Sequence, residues 1–299
     1  MKNKKILFIS NHASFFVSHR LNIFNYSHKK NYEFSLIFGN PASKNMEKTA
    51  IRELIKKKVK FLKLNYSNSS FSIIKDLFSF YKILNFIIKY KPDVIHSASP
   101  KANLYAGILG RLFNKISLVI SFSGMGYLYT EKKFNIIFNL KKVLFDTLLN
   151  FIFSKKRKKI IVQNKNDYFL VKKKFNINKK NILIIKGGSG IDLKKFTKIQ
   201  RKPTKNVVMI SRVLKNKGVI EFFKAAEMLK VKYPKWKFII VGALDYNSPD
   251  KVSPDIINYY KKNKIIIFKG FDNQISKILS KTEIYCLPSY REGMPKSTL

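Results

Sequence analysis

Short apolar runs alternate with amphipathic stretches from the first residues of the chain onward. Residues 4–10 (KKILFIS) and 33–39 (EFSLIFG) are runs of strand length, apolar enough for burial on both faces. Between them, residues 13–29 carry Phe15, Phe16, Leu21, Ile23 and Phe24 and read as a helix. A helix over 45–57, a strand over 59–64 and a helix over 71–90 follow. This last helix has Ile73, Ile74, Leu77, Phe78, Tyr81, Leu84, Phe86 and Ile88 as its apolar face and stops at Pro92. Next come a strand at 93–96 and a helix opened by Ser99-Pro100, with Ser99 as N-cap and Pro100 at the first helical position. Strands at 116–122, 159–163 and 181–185 and helices at 134–153 and 165–175 complete the series. Strands alternating with helices predict a doubly wound parallel sheet.

The pattern then restarts. Residues 198–205 (KIQRKPTK) are polar, contain Pro203 and read as a linker. Strands at 206–211, 236–241, 264–268 and 283–287 then alternate with helices at 218–232, 254–262 and 272–280. The expected layout is two Rossmann-like α/β domains facing across a cleft, residues 1–197 and 206–299, the second incomplete in strands.

Composition changes this picture in one respect. Among 299 residues, 60 are Lys or Arg and only 17 are Asp or Glu, a formal net charge of +43. Such a charge points to a polyanionic partner, whether nucleic acid, anionic lipid or a phosphorylated substrate. The excess is nearly all Lys, runs from Lys2 to Lys296 and accompanies heavy Ile, Asn and Phe, which is also the imprint of an AT-rich coding bias. The basic residues form no single patch in sequence and no nucleic-acid motif is present, so no nucleic-acid partner is expected. Two segments, 73–91 and 134–159, combine an aromatic apolar face with lysines. They read either as basic amphipathic helices for an anionic membrane surface or as core helices with lysine-biased outer faces.

The lone Cys286 excludes a disulfide framework within the chain and reads as core. The apolar stretch of the N-terminus, Ile6–Ile9, is too short for a signal peptide, and no run of membrane-spanning length occurs. A cytoplasmic protein, soluble or peripheral at the membrane, is expected. No His, Cys and Asp cluster has metal-ligand spacing, and no P-loop or G-x-S-x-G is present.

In open α/β sheets ligands bind beyond the carboxyl ends of the strands. After the strand at 206–211 comes SRVLKNKG, in which Arg212 and Lys217 flank a loop entering a helix, an arrangement suited to a diphosphate. After the strand at 283–287 comes PSYREGMPKS. There Glu292 is an acid in an acid-poor chain, Gly293 permits close backbone approach and Pro295 suits a helix start. Glu292 could accept from a sugar hydroxyl or serve as a helix N-terminal carboxylate. Of the four histidines, His28 reads as surface, and His96 as either a packed core residue or a ligand contact. Arg20, beside His19 on the first helix, could equally reach a phosphate or pair with a carboxylate.

SRxxxxKG, a strand ending in Val241-Gly242, Phe268-Lys269-Gly270 and PSYREGMPKS, in this order and spacing, resemble the C-terminal half of family 4 glycosyltransferases. The resemblance implies the GT-B fold and transfer of a sugar from a nucleotide sugar with retention, without a cofactor or essential metal. It makes Arg212 and Lys217 the cations at the departing diphosphate and Glu292 the contact to the donor sugar. It further implies a donor clamp over Gly293, Met294, Pro295, Lys296 and Ser297, and a base-side contact at Gly270 and Phe271. Fixed cations and N–H groups would act there on the charge that develops on the leaving phosphate.

The N-terminal half is similar to members that act on lipid-linked sugars in surface polysaccharide or lipopolysaccharide assembly. The matching stretches are FFVSHR at 15–20, DVIHSASPK at 93–101, FSGMGY at 122–127 and GSGID at 188–192. His19, Arg20, Ser99, Lys101, Ser123, Gly124 and Gly126 thereby become acceptor-side candidates. Two departures stand out. Asn11-His12-Ala13-Ser14 replaces the family's Gly-Gly pair, and Ser123 stands near a usual His, with the backbone of Gly124-Met125-Gly126 as a substitute donor. The family's second Glu would fall one residue beyond Leu299. The expectation is therefore a C-terminally truncated hexosyltransferase, or an inactive fragment of one, with apolar faces open around Val208, Ile240, Ile266 and Tyr285. A basic nucleic-acid-binding protein is the competing class.

Overall fold

A computed structural model describes residues 3–41, 44–66, 72–125, 129, 136–191, 193, 196, 204–246, 248 and 250–299. The chain divides into two compact units. One comprises residues 1–190 with 293–296, the other 191–292 with 297–299.

In the first unit β1 (Lys5–Ser10), α1 (Ala13–Lys29), β2 (Glu33–Phe38), α2 (Lys44–Lys56) and β3 (Lys60–Lys63) build one half of a sheet. The other half follows as α3 (Ile73–Tyr90), β4 (Val94–Ala98), α4 (Pro100–Leu112), β5 (Ser117–Ser121), α5 (Ile136–Phe153), β6 (Lys158–Val162), α6 (Lys165–Lys174) and β7 (Ile182–Ile184). The strand order is β3-β2-β1-β4-β5-β6-β7, all parallel, so the order reverses between β1 and β4. Leu7, Phe8 and Ile9 are fully buried because both faces of β1 are covered. Phe8 packs with Phe16 of α1 and Phe34 of β2 on one face. Leu7 and Ile9 lie on the other, with Ile83 and Ile87 of α3, Ala102 and Leu109 of α4 and Leu149 and Ile152 of α5.

The second unit repeats the scheme on a smaller scale. It contains β8 (Asn206–Ile210), α7 (Val219–Lys232), β9 (Lys237–Val241), α8 (Pro254–Lys262), β10 (Ile266–Phe268), α9 (Ile275–Leu279) and β11 (Ile284–Tyr285). Its parallel order is β10-β9-β8-β11. The expected open faces are largely absent, since Val208, Ile240 and Ile266 are no more than 2% exposed. Helices α7 and α8 cover Ile240 and Ile266 through Val219, Phe222, Phe223, Ile257 and Tyr260. Val208 lies with Ile239 and Val241 against Ile275 and Ile278 of α9, while Tyr285 stays partly exposed.

Element bounds shift where side chains compete for the backbone. The last helix begins at Ile275 rather than 272, because Asp272 Oδ1 takes the Gln274 amide in a turn of its own, 2.7 Å. Ser99 is not a side-chain N-cap. Its φ of +98° places the residue outside the capping conformation and its hydroxyl makes no cap bond, although Pro100 does open α4.

Helices α3 and α5 each leave a row of large apolar side chains in solvent. On α3 these are Ile74, Leu77, Phe78, Tyr81 and Ile88; on α5 they are Ile136, Leu140, Val143, Leu144 and Phe151. The spacing makes each set one stripe along its helix. Exposed Lys75, Lys82 and Lys89 recur at seven-residue intervals beside the α3 stripe. Among the described residues, no helix is long and apolar enough to cross a membrane.

Candidate active site

In the second unit the loops after the strands meet at their carboxyl edge. Ser211 N bonds Val241 O, and Gly242 N bonds Gly270 O at 2.7 Å. A Cβ on Gly242 would lie 1.7 Å from Ser211 O, so only glycine admits this approach. Lys215–Lys217 form a 3-10 turn, and Gly218, at φ +74°, reverses the chain into α7. A Cβ on Gly218 would meet Pro288 O at 2.0 Å, which shows how closely the loop after β11 packs on the loop after β8. Tyr290 N and Ser289 Oγ both donate to Asn216 O, each at 3.2 Å.

This packing brings Lys217 Nζ to Glu292 Oε1 at 2.5 Å, with both side chains partly exposed. Arg212 NH1 bonds Asp245 Oδ2 at 3.0 Å, and its side chain is 61% exposed. Asn216 Oδ1 is buried without a hydrogen-bond partner. Phe271 is half-exposed after Gly270, whose φ is +67°. Ser297 Oγ accepts from Tyr285 OH at 2.7 Å.

Residues 293–296 pack with the first unit. A Cβ on Gly293 would fall 2.3 Å from Ser123 O, and Asn164 Nδ2 donates to Gly293 O at 3.3 Å. Met294 packs on Gly188, and Lys296 Nζ donates to Ser18 O at 2.7 Å. Pro295 is partly buried and stands just before the 3-10 turn Lys296–Thr298, so the helix start expected there is a short turn in this structure.

In the same unit Arg20 is 8% exposed. Its NH1 bonds Ser189 Oγ at 2.7 Å and His19 O at 3.0 Å, and its NH2 bonds Ser123 Oγ at 2.8 Å. Burial lowers the guanidinium to about 10. His19 stacks on Phe15, and burial, then Lys296 and Arg20, lower it to about 4. His96 accepts or donates at Nε2 with Ser121 Oγ, packs on Phe8, and is lowered to about 3, first by burial and then by Arg20. His28 is exposed, as expected. Gly124 has φ +125°, while Gly126 lies outside the described residues.

At the point where strand order reverses, Asn11 Oδ1 after β1 and Ser99 Oγ after β4 are both buried without hydrogen-bond partners. This is where an open α/β sheet offers its crevice. Lys101 is buried on α4 and bonds both Asp76 oxygens, at 2.9 and 3.0 Å. Tyr105 OH joins them at 2.7 Å, and the three tie α3 to α4.

Residues 5–164 match the family described as glycosyl transferase 4-like, and residues 191–299 match glycosyl transferases group 1. The chain belongs to the glycosyl transferase 4-like family. N,N'-diacetylbacillosaminyl-diphospho-undecaprenol alpha-1,3-N-acetylgalactosaminyltransferase of Campylobacter jejuni is 31% identical over 250 residues, covering 78% of this chain and 61% of that protein. UDP-Gal:alpha-D-GlcNAc-diphosphoundecaprenol alpha-1,3-galactosyltransferase of Escherichia coli is 25% identical over 242 residues, 76% of this chain and 60% of that protein. The chain thus spans about 60% of the length of the curated relatives it matches. Sucrose-phosphate synthase from Thermosynechococcus elongatus superposes with a TM-score of 0.69 at 14% identity, covering 98% of this chain and 77% of that one. The fold is therefore that of GT-B glycosyltransferases.

Within this glycosyltransferase fold the structure joins Lys217 to Glu292 and Arg20 to Ser123, pairs separated by 75 and 103 positions. It also brings in residues that the sequence did not single out. Asn11 stands in the stretch that replaces the family's Gly-Gly pair and Asn216 within SRVLKNKG, but neither was assigned a role, and their unmatched buried amide oxygens mark them. Glu47 accepts from the amides of Ala13 and Ser14 at 2.8 and 2.9 Å, so a carboxylate of α2 occupies the N-terminus of α1. Its scarcity as an acid in this chain was the one available signal.

Proposed function

We propose that the chain acts in a glycosyltransferase that moves a sugar from a nucleotide sugar to a lipid-linked saccharide acceptor, with retention, in surface polysaccharide or lipopolysaccharide assembly. The observation that carries this reading is the meeting of Lys217 and Glu292 at the carboxyl edge of the second sheet. In this reading the cation faces the donor's diphosphate and the carboxylate its sugar. The bond from the anomeric carbon to the phosphate oxygen breaks, and the acceptor hydroxyl takes its place. The acceptor proton leaves with the nucleoside diphosphate. Lys217, Arg212 and backbone amides meet the negative charge that grows on that leaving group, and no metal is assigned to the step. Glu292 orients the sugar through its hydroxyls. The printed names of the relatives support the substrate class, since one uses UDP-Gal and both act on diphospho-undecaprenol-linked sugars.

The same reading places the protein at the inner face of the cytoplasmic membrane. The α3 and α5 stripes with their lysines, in a chain of net charge +43, suit an anionic surface by both apolar area and charge. The test is incubation of the full chain with a panel of nucleotide sugars and a diphospholipid-linked saccharide. Release of nucleoside diphosphate matched by elongated acceptor, with the anomeric configuration kept and with EDTA present, is expected. Absence of both release and donor binding across the panel overturns the reading.

A further inference from the structure

We propose that Arg20, Ser123 and Ser189 form a phosphoryl-binding site in the first unit that takes the diphosphate of the lipid-linked acceptor, an assignment that rests on the acceptor class proposed above. Arg20 is nine-tenths buried, and among the described residues no carboxylate pairs with it. The contacts of its guanidinium head are two serine hydroxyls, a backbone carbonyl and the Phe15 ring. Nor does any acidic group counter the burial that lowers its pKa. Burying a guanidinium without a counter-anion opposes folding, so an unpaired one implies a ligand that supplies the anion.

The surroundings fit a phosphoryl group. Both hydroxyls can rotate to donate to phosphate oxygens while the guanidinium presents a planar fork to them. Ser123 is exposed, so the site opens to solvent on that side. Gly187 and Gly190 have open space where a Cβ would stand, and Gly124, Gly187, Gly188 and Gly190 all take positive φ. Backbone of that kind approaches an anion closely. Lys296, which acts electrostatically on His19, adds a second cation nearby. Neutral His19 and His96 add no competing positive charge. The carboxylate alternative left open by the sequence finds no partner for Arg20 among the described residues, and Glu47, at the start of α1, bonds the amides of Ala13 and Ser14 instead.

The experiment is calorimetric titration of the full chain with inorganic pyrophosphate, farnesyl diphosphate, farnesol and UDP. Arg20→Ala is expected to weaken pyrophosphate and farnesyl diphosphate at least tenfold and to leave farnesol and UDP unchanged. Arg20→Lys should fall between wild type and Arg20→Ala, since the charge stays and the fork is lost. The Ser123→Ala/Ser189→Ala variant should weaken both diphosphates. Arg20→Met should melt at or above the wild-type temperature. Unchanged diphosphate affinities in Arg20→Ala overturn the proposal. Equal weakening of UDP overturns the acceptor assignment, because the guanidinium then serves the donor. A melting temperature lowered by several degrees in Arg20→Met, with diphosphate binding kept in Arg20→Lys and the serine variant, makes Arg20 structural and also overturns it. A wild-type chain that binds diphosphates through Arg20 but no nucleotide keeps the phosphoryl site, while the glycosyl-transfer reading fails separately.

Discussion

Lys217 Nζ and Glu292 Oε1 lie 2.5 Å apart, although 75 positions separate them in the chain. Each neutralises the other, so a donor that engages both must part them or bridge them. Their contributions to turnover are therefore coupled. Lys217→Ala and Glu292→Gln should each lower turnover about 10²-fold, the scale of one preorganised group at a developing charge. The double variant should lose much less than the product of the two. A double-mutant cycle of kcat/KM reads this directly, and strict additivity would show that the pair does not act as one unit.

Arg212 is bonded to Asp245 but most of its side chain is in water. An exposed ion pair of this kind contributes at most about 1 kcal/mol to stability. Arg212→Ala should leave the thermal melt almost unchanged and reduce turnover about 10²-fold. Comparing the melt with kcat separates the two effects. Normal turnover with a lowered melt would assign Arg212 to structure.

Gly218 is confined both by its φ of +74° and by Pro288 O, which a Cβ would meet at 2.0 Å. Backbone cannot yield as a flexible side chain does. Gly218→Ala should cost about 2–4 kcal/mol, the range of overpacking combined with left-handed strain. Because the loops that carry Lys217 and Glu292 separate when Gly218 is crowded, residual folded protein should also be slow. Denaturant melts and activity per folded molecule measure the two parts.

His19 and His96 titrate at about 4 and about 3 in the folded chain, below the usual 6.5. The unfolded chain therefore binds more protons than the folded chain between those values and 6.5. Stability is at its full value above pH 6.5 and falls as the pH drops toward 4 and then 3. Each histidine can add at most about 1.4 kcal/mol per pH unit to that slope. Melting temperatures from pH 7.5 to 3.5 should show the decline, and His96→Gln should make it shallower. A slope that His96→Gln leaves unaltered would remove His96 as a source.

The apolar stripes of α3 and α5 are exposed, so charge placed there should perturb folding by no more than about 0.5 kcal/mol. Leu77→Asp/Phe78→Asp on α3 and Leu140→Asp/Leu144→Asp on α5 should each reduce sedimentation with anionic vesicles tenfold or more. Burying one large apolar side chain is worth about 1.5–3 kcal/mol. Wild-type binding should be weaker on neutral vesicles and at high salt. Equal binding to neutral and anionic vesicles, or none to either, would make the stripes irrelevant to membranes.

Local chemistry made most of the architecture legible. Period-2 and period-3.6 patterns report which side chains want burial, and Pro and Gly report where the backbone must turn. The runs around Phe8 and Leu36 were therefore readable as buried strands, and the series around them as a doubly wound sheet. The bounds of α9 were not, because Asp272 competes for an amide in a way that periodicity does not register. The α3 and α5 segments were ambiguous for a related reason. A hydrophobic pattern gives the direction of an apolar face but not whether the neighbouring helices suffice to cover it, and here they leave Leu77 and Leu140 outside.

Residues that are neighbours along the chain specify the fold class, the restart of the pattern near residue 206 and the loops in which Arg212, Lys217 and Glu292 stand. Those are short-range properties. Which charges find partners follows from the folded arrangement. Lys217 meets Glu292, Lys101 bonds Asp76, Glu47 closes the start of α1, and Arg20 is buried among hydroxyls, with no carboxylate paired to it among the described residues. Charge pairing depends on distances of a few ångströms between residues far apart in sequence, and its strength depends on how far water is excluded around them. Both quantities come into being only when the strands have taken their order in the sheet.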